Sequence, residues 1–171
     1  MESAEEKMSE CMSELNEQEA TLLRRTFELA AAAREQGIHP FAALLADADG
    51  NILMEQVNAY LPDLDMTGHA ERVLMTRASK AYRPDFLTNC TMYVSAEPCA
   101  MCAGAAYWAG IGRVVYSMSE QRLKQITGNH PENPTLDLPC RTVFASGQRK
   151  VSITGPVLEE EGAALHTGFW N

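Results

Sequence analysis

The sequence has few basic residues and no long apolar segment. Lys and Arg number 14 against 23 Asp and Glu, which gives a formal net charge of -9. Nucleic-acid binding depends on clustered positive charge, so this balance disfavours RNA or DNA as a partner. No apolar run approaches the ~20 residues of a membrane-spanning helix, and the acidic, polar residues 1–14 are unlike a secretory signal. We therefore expect a cytoplasmic protein without a membrane partner.

The cysteines are five in number, an odd count that internal disulfides cannot use completely. A chain of 171 residues buries enough apolar surface to fold without disulfides. Cys11, Cys90 and Cys140 have no close partner in the sequence and are interpreted as ordinary thiols. Cys99 and Cys102 are three positions apart, and only this pair indicates a site with its own chemistry.

The chain divides into a short acidic extension and one predicted domain. Residues 1–15 contain five glutamates and few large apolar side chains, which is typical of a solvated extension. The remaining chain, residues 16–171, has the length of a single domain.

Alternating helix and strand patterns run through this predicted domain. Apolar periodicity and capping signals predict helices over residues 17–36, 70–81, 100–109, from Ser117 to near Gly128, and over 157–166. Strand patterns cover residues 41–46, 52–57, 90–95, 113–117, 142–145 and 151–154. The first two strands form a predicted hairpin, and residues 129–139 a loop. The order predicts a mixed α/β sandwich around one sheet of about five strands.

Two predicted helix starts carry residues that bind metal. His69 and Glu71 begin one helix, Cys99 and Cys102 begin another, and the intervening stretch has room for one strand. Cysteines three apart in a first turn point to a common position, and a helix N-terminus lowers the pKa of a thiol. With His69 as third ligand, the set predicts tetrahedral Zn²⁺ with one position open for water.

Glu71 distinguishes a catalytic site from a structural one. A carboxylate beside the metal can take a proton from the bound water and return it to a ring nitrogen and a departing amine. The alternative is a non-catalytic zinc-binding subunit that pairs with an active enzyme. Such a subunit would need a fourth protein ligand and gains nothing from an ionisable neighbour, and neither Cys90 nor Cys140 has suitable spacing.

The pattern His69-Ala70-Glu71 followed by Pro98-Cys99-Ala100-Met101-Cys102 resembles the signature of the cytidine deaminase superfamily. The resemblance spans roughly residues 17–170 and is closest to bacterial guanine deaminases and tRNA adenosine deaminases. Residues 40–43, 97–105 and 107–109 look like guanine deaminases in particular. The resemblance implies a three-layer α/β/α sandwich with a mixed five-stranded sheet, a zinc cofactor and hydrolytic deamination.

Substrate contacts are also implied by the resemblance. Asn58 matches an asparagine that binds the base, because an amide offers both a donor and an acceptor. Phe41 matches a position that stacks on the ring, Ala70 lies within the signature, and Trp108 either lines the pocket or packs its helix on the sheet. Glu132 matches an acidic loop residue that reads the purine and helps to move protons. The other histidines, at 39, 130 and 166, are interpreted as turn, surface or cap residues.

Guanine, converted to xanthine and ammonia, is the expected substrate. Guanosine, cytosine, adenine, triazines and tRNA adenosine remain alternatives. The acidic run Leu158-Glu159-Glu160-Glu161 repels RNA, and Arg149 with Lys150 is too small a basic cluster to reverse this. The partners are thus a nucleobase and water. The resemblance also implies a homodimer, with the apolar Phe169 and Trp170 at or near the subunit contact.

Overall fold

The computed structural model describes residues 15–171. Most of the predicted acidic extension, and Cys11 with it, lies outside the described residues. The described part of the chain contains α1 (Glu17–Glu35), β1 (Ala42–Ala46), β2 (Ile52–Val57), α2 (Ala70–Ala81), α3 (Pro84–Leu87), β3 (Thr91–Ala96), α4 (Ala100–Ala109), β4 (Arg113–Met118), α5 (Glu120–Thr127), α6 (Cys140–Ala145), β5 (Ser152–Thr154) and α7 (Glu159–Ala164). Within residues 15–171, no helix combines the length and apolar character that crossing a bilayer requires.

The five strands form one mixed sheet in the order β2-β1-β3-β4-β5. β1 pairs antiparallel with β2 and β3, while β3 with β4 and β4 with β5 are parallel. The hairpin turn is closed by Asp47, whose carboxylate accepts the backbone N–H groups of Asp49 and Asn51 at 2.9 Å each. The predicted hairpin and the mixed sheet are confirmed.

Alternating side chains of the sheet build a core on each face. On one face Leu44, Tyr93 and Val115 pack against α1, which buries Leu23 and Phe27. The opposite face packs against helices α2 and α4, and its core includes Ala43, Leu45, Val94, Val114, Leu74 and Ala106. Helices therefore cover both faces of the sheet, which is the predicted α/β/α arrangement.

One predicted strand is wrong. Residues 142–145 lie in helix α6, in which Cys140 and Phe144 are buried one helical turn apart. The Cys140 N–H at the start of α6 donates to the Glu97 carboxylate at 3.1 Å. The local preference of Thr142 and Val143 for a strand is overridden by this distant cap and by packing.

Smaller differences concern element ends. Helix α5 is capped by Ser119, which accepts the Arg122 N–H at 3.1 Å, whereas the sequence suggested Ser117. Helix α3 lies between the predicted helix 70–81 and the predicted strand 90–95, and α7 is shorter than the predicted 157–166. Helix α4 has its predicted bounds and is followed by Gly110, whose φ of 101° is a backbone conformation that favours glycine.

Candidate active site

Two helix N-termini meet at one point beside the sheet. His69 is the N-cap residue of α2 and Cys99 is the N-cap residue of α4, and neither side chain caps its own helix. Both side chains are therefore free to face each other. Cys102, in the first turn of α4, is fully buried below them.

The three side chains have the spacing of a zinc site. The His69 Nδ1 atom lies 3.5 Å from the Cys99 Sγ and 3.5 Å from the Cys102 Sγ, and all three ligand atoms lie within 4.8 Å of one another. Zinc bonds of ~2.3 Å to sulfur and ~2.0 Å to nitrogen at tetrahedral angles give a sulfur to nitrogen separation of about 3.5 Å. The arrangement fits Zn²⁺ with three protein ligands.

Electrostatics around these ligands favour a thiolate. Hydrogen bonds from Cys102 and His69 lower the pKa of the Cys99 thiol despite its burial. Glu71, two residues after His69 in the first turn of α2, is 6% exposed, and burial raises the pKa of its carboxyl group to about 7. A carboxyl group of this pKa exchanges protons readily near neutral pH.

A cavity opens beside the metal ligands and Glu71. Its lining combines aromatic, amide and acidic side chains: His39, Phe41, Asn58, Tyr60, Asp65, Met66, His69, Glu71, Ala96, Glu97, Cys99, Glu120, Leu123, Glu132 and Asn133. These residues come from the strand ends, from the loops after β2 and α5, and from the starts of helices α2, α4 and α5. We call the lining beside the metal ligands the metal end of the cavity and the lining at His39 and Glu132 its loop end.

The comparisons with known proteins agree with this geometry. Residues 16–118 match the family model described as the cytidine and deoxycytidylate deaminase zinc-binding region. The chain belongs to this deaminase family. A probable cytosine deaminase of Schizosaccharomyces pombe is 35% identical over 159 residues, which cover 93% of this chain and 96% of that protein.

Guanine deaminases are also among the similar proteins. The Bacillus subtilis enzyme is 39% identical over 98 residues, covering 57% of this chain and 62% of that protein. A solved guanine deaminase from Nitrosomonas europaea superposes with a TM-score of 0.71 at 21% identity, covering 95% of this chain and 91% of that one. At this identity the superposition shows the shared fold.

Three of the five predicted substrate residues line the cavity of this deaminase. These are Phe41, Asn58 and Glu132, and their contact with a substrate stays a prediction. Ala70 is fully buried in the core at the start of α2 and is not part of the lining.

The expectation for Trp108 is wrong in both of its forms. The side chain is 84% exposed, lies outside the cavity lining and does not pack α4 against the sheet. Its ring contacts the edge of Tyr107 at a centroid distance of 5.6 Å. Trp108 stands near the end of a helix whose inward positions are taken by Ala106 and Ala109, so it points away from the sheet.

Two acidic residues at the cavity were missed by the sequence analysis. Glu97 and Glu120 are each 7% exposed and both line the cavity. Burial, followed by the nearby Cys99 and Glu97, raises the pKa of the Glu120 carboxyl group to about 8. Glu120 follows a predicted helix cap, and nothing in the sequence around it indicated that its side chain would be buried.

Of the three other histidines, His39 and His166 are buried, and the expected surface position of His166 is wrong. His39 is 8% exposed and stacks on Tyr60 at 5.1 Å, and its Nε2 lies 3.6 Å from a Glu132 carboxylate oxygen. His166 is 1% exposed and its Nδ1 accepts the indole N–H of Trp170 at 3.0 Å. We call His39, Phe41, His166, Phe169 and Trp170 the aromatic cluster, since their rings contact one another.

Proposed function

We propose that this deaminase removes the amino group of a free nucleobase by hydrolysis. Its proposed substrate is guanine, which is converted to xanthine and ammonia. The observation that carries the proposal is one cavity that joins a three-ligand metal site to Glu71, Asn58 and Glu132. Bound to these ligands, zinc supplies a Lewis acid with an open position that acidifies water. The protein residues supply the remaining steps.

Glu71 is the proton carrier in this proposal. Its buried carboxylate takes a proton from the attacking water and passes protons to a ring nitrogen and to the departing amine. Its place in the first turn of α2, two residues after the ligand His69, holds it beside the reacting carbon. The products are the oxo-heterocycle and ammonia.

Asn58 is oriented to donate a hydrogen bond to the ring. Its Oδ1 accepts the backbone N–H of Tyr60 at 2.8 Å, and this contact fixes which way the amide points. The side-chain NH2 group is left to donate to a ring nitrogen or carbonyl oxygen of the base. Phe41 supplies an apolar wall of the same cavity.

Glu132 supports guanine as the substrate. A carboxylate accepts two neighbouring N–H donors, and guanine presents such a pair at N1 and its 2-amino group. The Glu132 carboxylate also lies 3.6 Å from the Nε2 atom of His39, and burial lowers the pKa of His39 and so favours its neutral ring. Cytosine and adenine do not offer the same donor edge.

The charges of the cavity favour a free base over a nucleotide. Its lining within residues 15–171 contains Asp65, Glu71, Glu97, Glu120 and Glu132 but neither lysine nor arginine. A phosphate group would meet repulsion there and no cationic partner. Nucleoside phosphates and tRNA are therefore poor substrates in this proposal.

Cytosine is the second candidate. The Schizosaccharomyces pombe relative, matched over nearly its whole length, is named a probable cytosine deaminase. Asn58 and Glu71 serve a pyrimidine as well as a purine, so the two candidates differ mainly in their use of Glu132.

A cytoplasmic homodimer remains part of the proposal. Phe169 and Trp170 no longer support it, because Trp170 is only 8% exposed within its own chain. Exposed apolar side chains lie elsewhere, namely at Leu61, Leu64, Met66 and Trp108. Sedimentation at micromolar concentration tests the proposal, and a monomer would contradict it.

Ammonia release from purified zinc-loaded protein tests the function. Guanine, guanosine, cytosine, adenine and ammeline are supplied in parallel, and we expect the highest kcat/KM with guanine. Glu71→Gln keeps the shape but carries no proton, so kcat should fall about 10²- to 10⁴-fold with zinc retained. Faster turnover of cytosine would transfer the proposal to the second candidate, and near-normal turnover by Glu71→Gln would remove Glu71 from its role.

A further inference from the structure

Glu120 is a largely buried residue whose carboxyl group has no protein partner among residues 15–171. Its side chain is 7% exposed and lines the cavity. Its carboxylate oxygens take part in no hydrogen bond or ion pair with any group of residues 15–171, whereas Glu97 in the same lining accepts two backbone N–H groups. The Glu120 oxygens are not among the fully enclosed unpaired atoms of these residues, so they are accessible from the cavity that the residue lines. A largely buried carboxyl group that faces a cavity without a protein donor points to a ligand.

The backbone under Glu120 is held from several sides. Its own N–H donates to the Glu97 carboxylate at 2.8 Å, and the N–H of the preceding Ser119 donates to Glu159 at 2.8 Å. Ser119 in turn accepts the Arg122 N–H and caps α5. The Glu120 backbone is fixed while its carboxyl group is left open, which is how a preorganised binding group is built.

The carboxyl group lies towards the metal end of the cavity. Its backbone N–H donates to Glu97, two residues before the ligand Cys99, and the same lining contains His69, Cys99 and Glu71, so Glu120 shares that end with two metal ligands and the proton carrier. The carbon that reacts, and the amino group on it, must lie at this end as well. An amino group is a donor both before and after it leaves as ammonia.

We propose that Glu120 binds the amino group that the enzyme removes, by accepting a hydrogen bond from its N–H. The inference rests on the proposed deamination but not on the choice between guanine and cytosine. It assigns the two carboxylates to different N–H groups of the substrate. Glu120 accepts from one N–H of the departing amine, and in guanine Glu132 accepts from the N1–H and from the second N–H of that amine.

Pairs of ligands that differ only in this amino group test the proposal. Guanine is paired with hypoxanthine and cytosine with pyrimidin-2-one, and Kd is measured on zinc-loaded Glu71→Gln protein, in which turnover is suppressed. Adding Glu120→Ala should weaken binding of the amine-bearing member about 10-fold or more and leave its partner unchanged. Adding Glu120→Gln, which keeps one accepting oxygen, should give a smaller loss.

The control is Glu35→Gln, because Glu35 is an exposed carboxylate at the end of α1. Glu35→Gln should leave the Kd of both members of each pair unchanged. Zinc content and melting temperature are recorded for every variant, and Glu120→Gln serves where Glu120→Ala does not fold.

Three outcomes overturn the proposal for Glu120: equal weakening of both members of a pair, no weakening of either, or no binding of any pair. The first would make Glu120 a structural residue. Failure of the proposed function gives a different result: the protein with Glu71 and Glu120 intact would release no ammonia. If the protein deaminates cytosine alone, the pair of cytosine and pyrimidin-2-one still tests the role of Glu120.

Discussion

The two ends of the cavity are built in different ways. The metal end uses the first turns of two helices, where His69 and Glu71 or Cys99 and Cys102 are neighbours in sequence. The loop end combines residues that are far apart in the chain, such as His39 and Glu132. The reaction therefore depends on local spacing, and substrate choice depends on tertiary packing.

Breaking the metal end should have the largest effect. Cys99→Ala, Cys102→Ala and His69→Ala each remove one of the three ligands grouped within 4.8 Å, so zinc should be lost on dialysis and ammonia release should become undetectable. Metal analysis by atomic emission measures the zinc content. Cys90→Ala is the matched control, because Cys90 is buried but lies outside the ligand group. Stoichiometric zinc in all three ligand variants would show that the metal binds elsewhere.

Changing the loop end should alter the preference between bases and leave the chemistry intact. In Glu132→Ala the donors of guanine lose their acceptor, so kcat/KM for guanine should fall about 10- to 100-fold. Zinc content and cytosine turnover should change little. Steady-state kinetics on both bases measures the ratio between them.

A second carboxylate of the same loop provides the control for Glu132. Asp137 pairs with Lys124 at 3.2 Å and lies outside the cavity lining, so Asp137→Asn should keep the parent preference. Unchanged guanine turnover in Glu132→Ala would mean that Glu132 does not read the base.

The difference between the two ends also explains what the sequence could predict. The metal ligands were predictable because two short motifs fix their own geometry at helix N-termini. Glu120 was not, since its burial depends on the distant Glu97 and Glu159 that fix the start of α5. Likewise, nothing in the sequence indicates that the Trp170 indole will donate to His166.

The fold shows the same division between local and distant causes. The hairpin and helices α1, α2 and α4 follow from local periodicity and stop residues such as Gly110. Residues 142–145 have the composition of a strand, yet they lie in helix α6, whose first N–H donates to the Glu97 carboxylate. Errors therefore occur where a side chain from another element decides the local structure.

His166 and Trp170 of the aromatic cluster lie outside the cavity lining, so changes there should affect stability with the least effect on chemistry. His166 is 1% exposed, its Nδ1 accepts the Trp170 N–H, and within residues 15–171 its Nε2 has no partner. Burial, and then the nearby Arg34 cation, lower the pKa of His166 from 6.5 to about 4. Protonation would break the Trp170 hydrogen bond and place a charge in an apolar site.

The sign of the pH effect follows from this lowered pKa. Between about pH 6.5 and pH 4 the unfolded chain binds a proton at residue 166 and the folded protein does not, so the free energy of unfolding decreases as the pH falls. From pH 7 to pH 5 this residue should cost about 2 kcal/mol. His166→Gln, which keeps an acceptor for Trp170, should remove that decrease in urea unfolding measured at the two pH values. Trp170→Phe should retain most of it, because burial is the larger cause, and an equal decrease in His166→Gln and the parent would assign the pH effect to other groups.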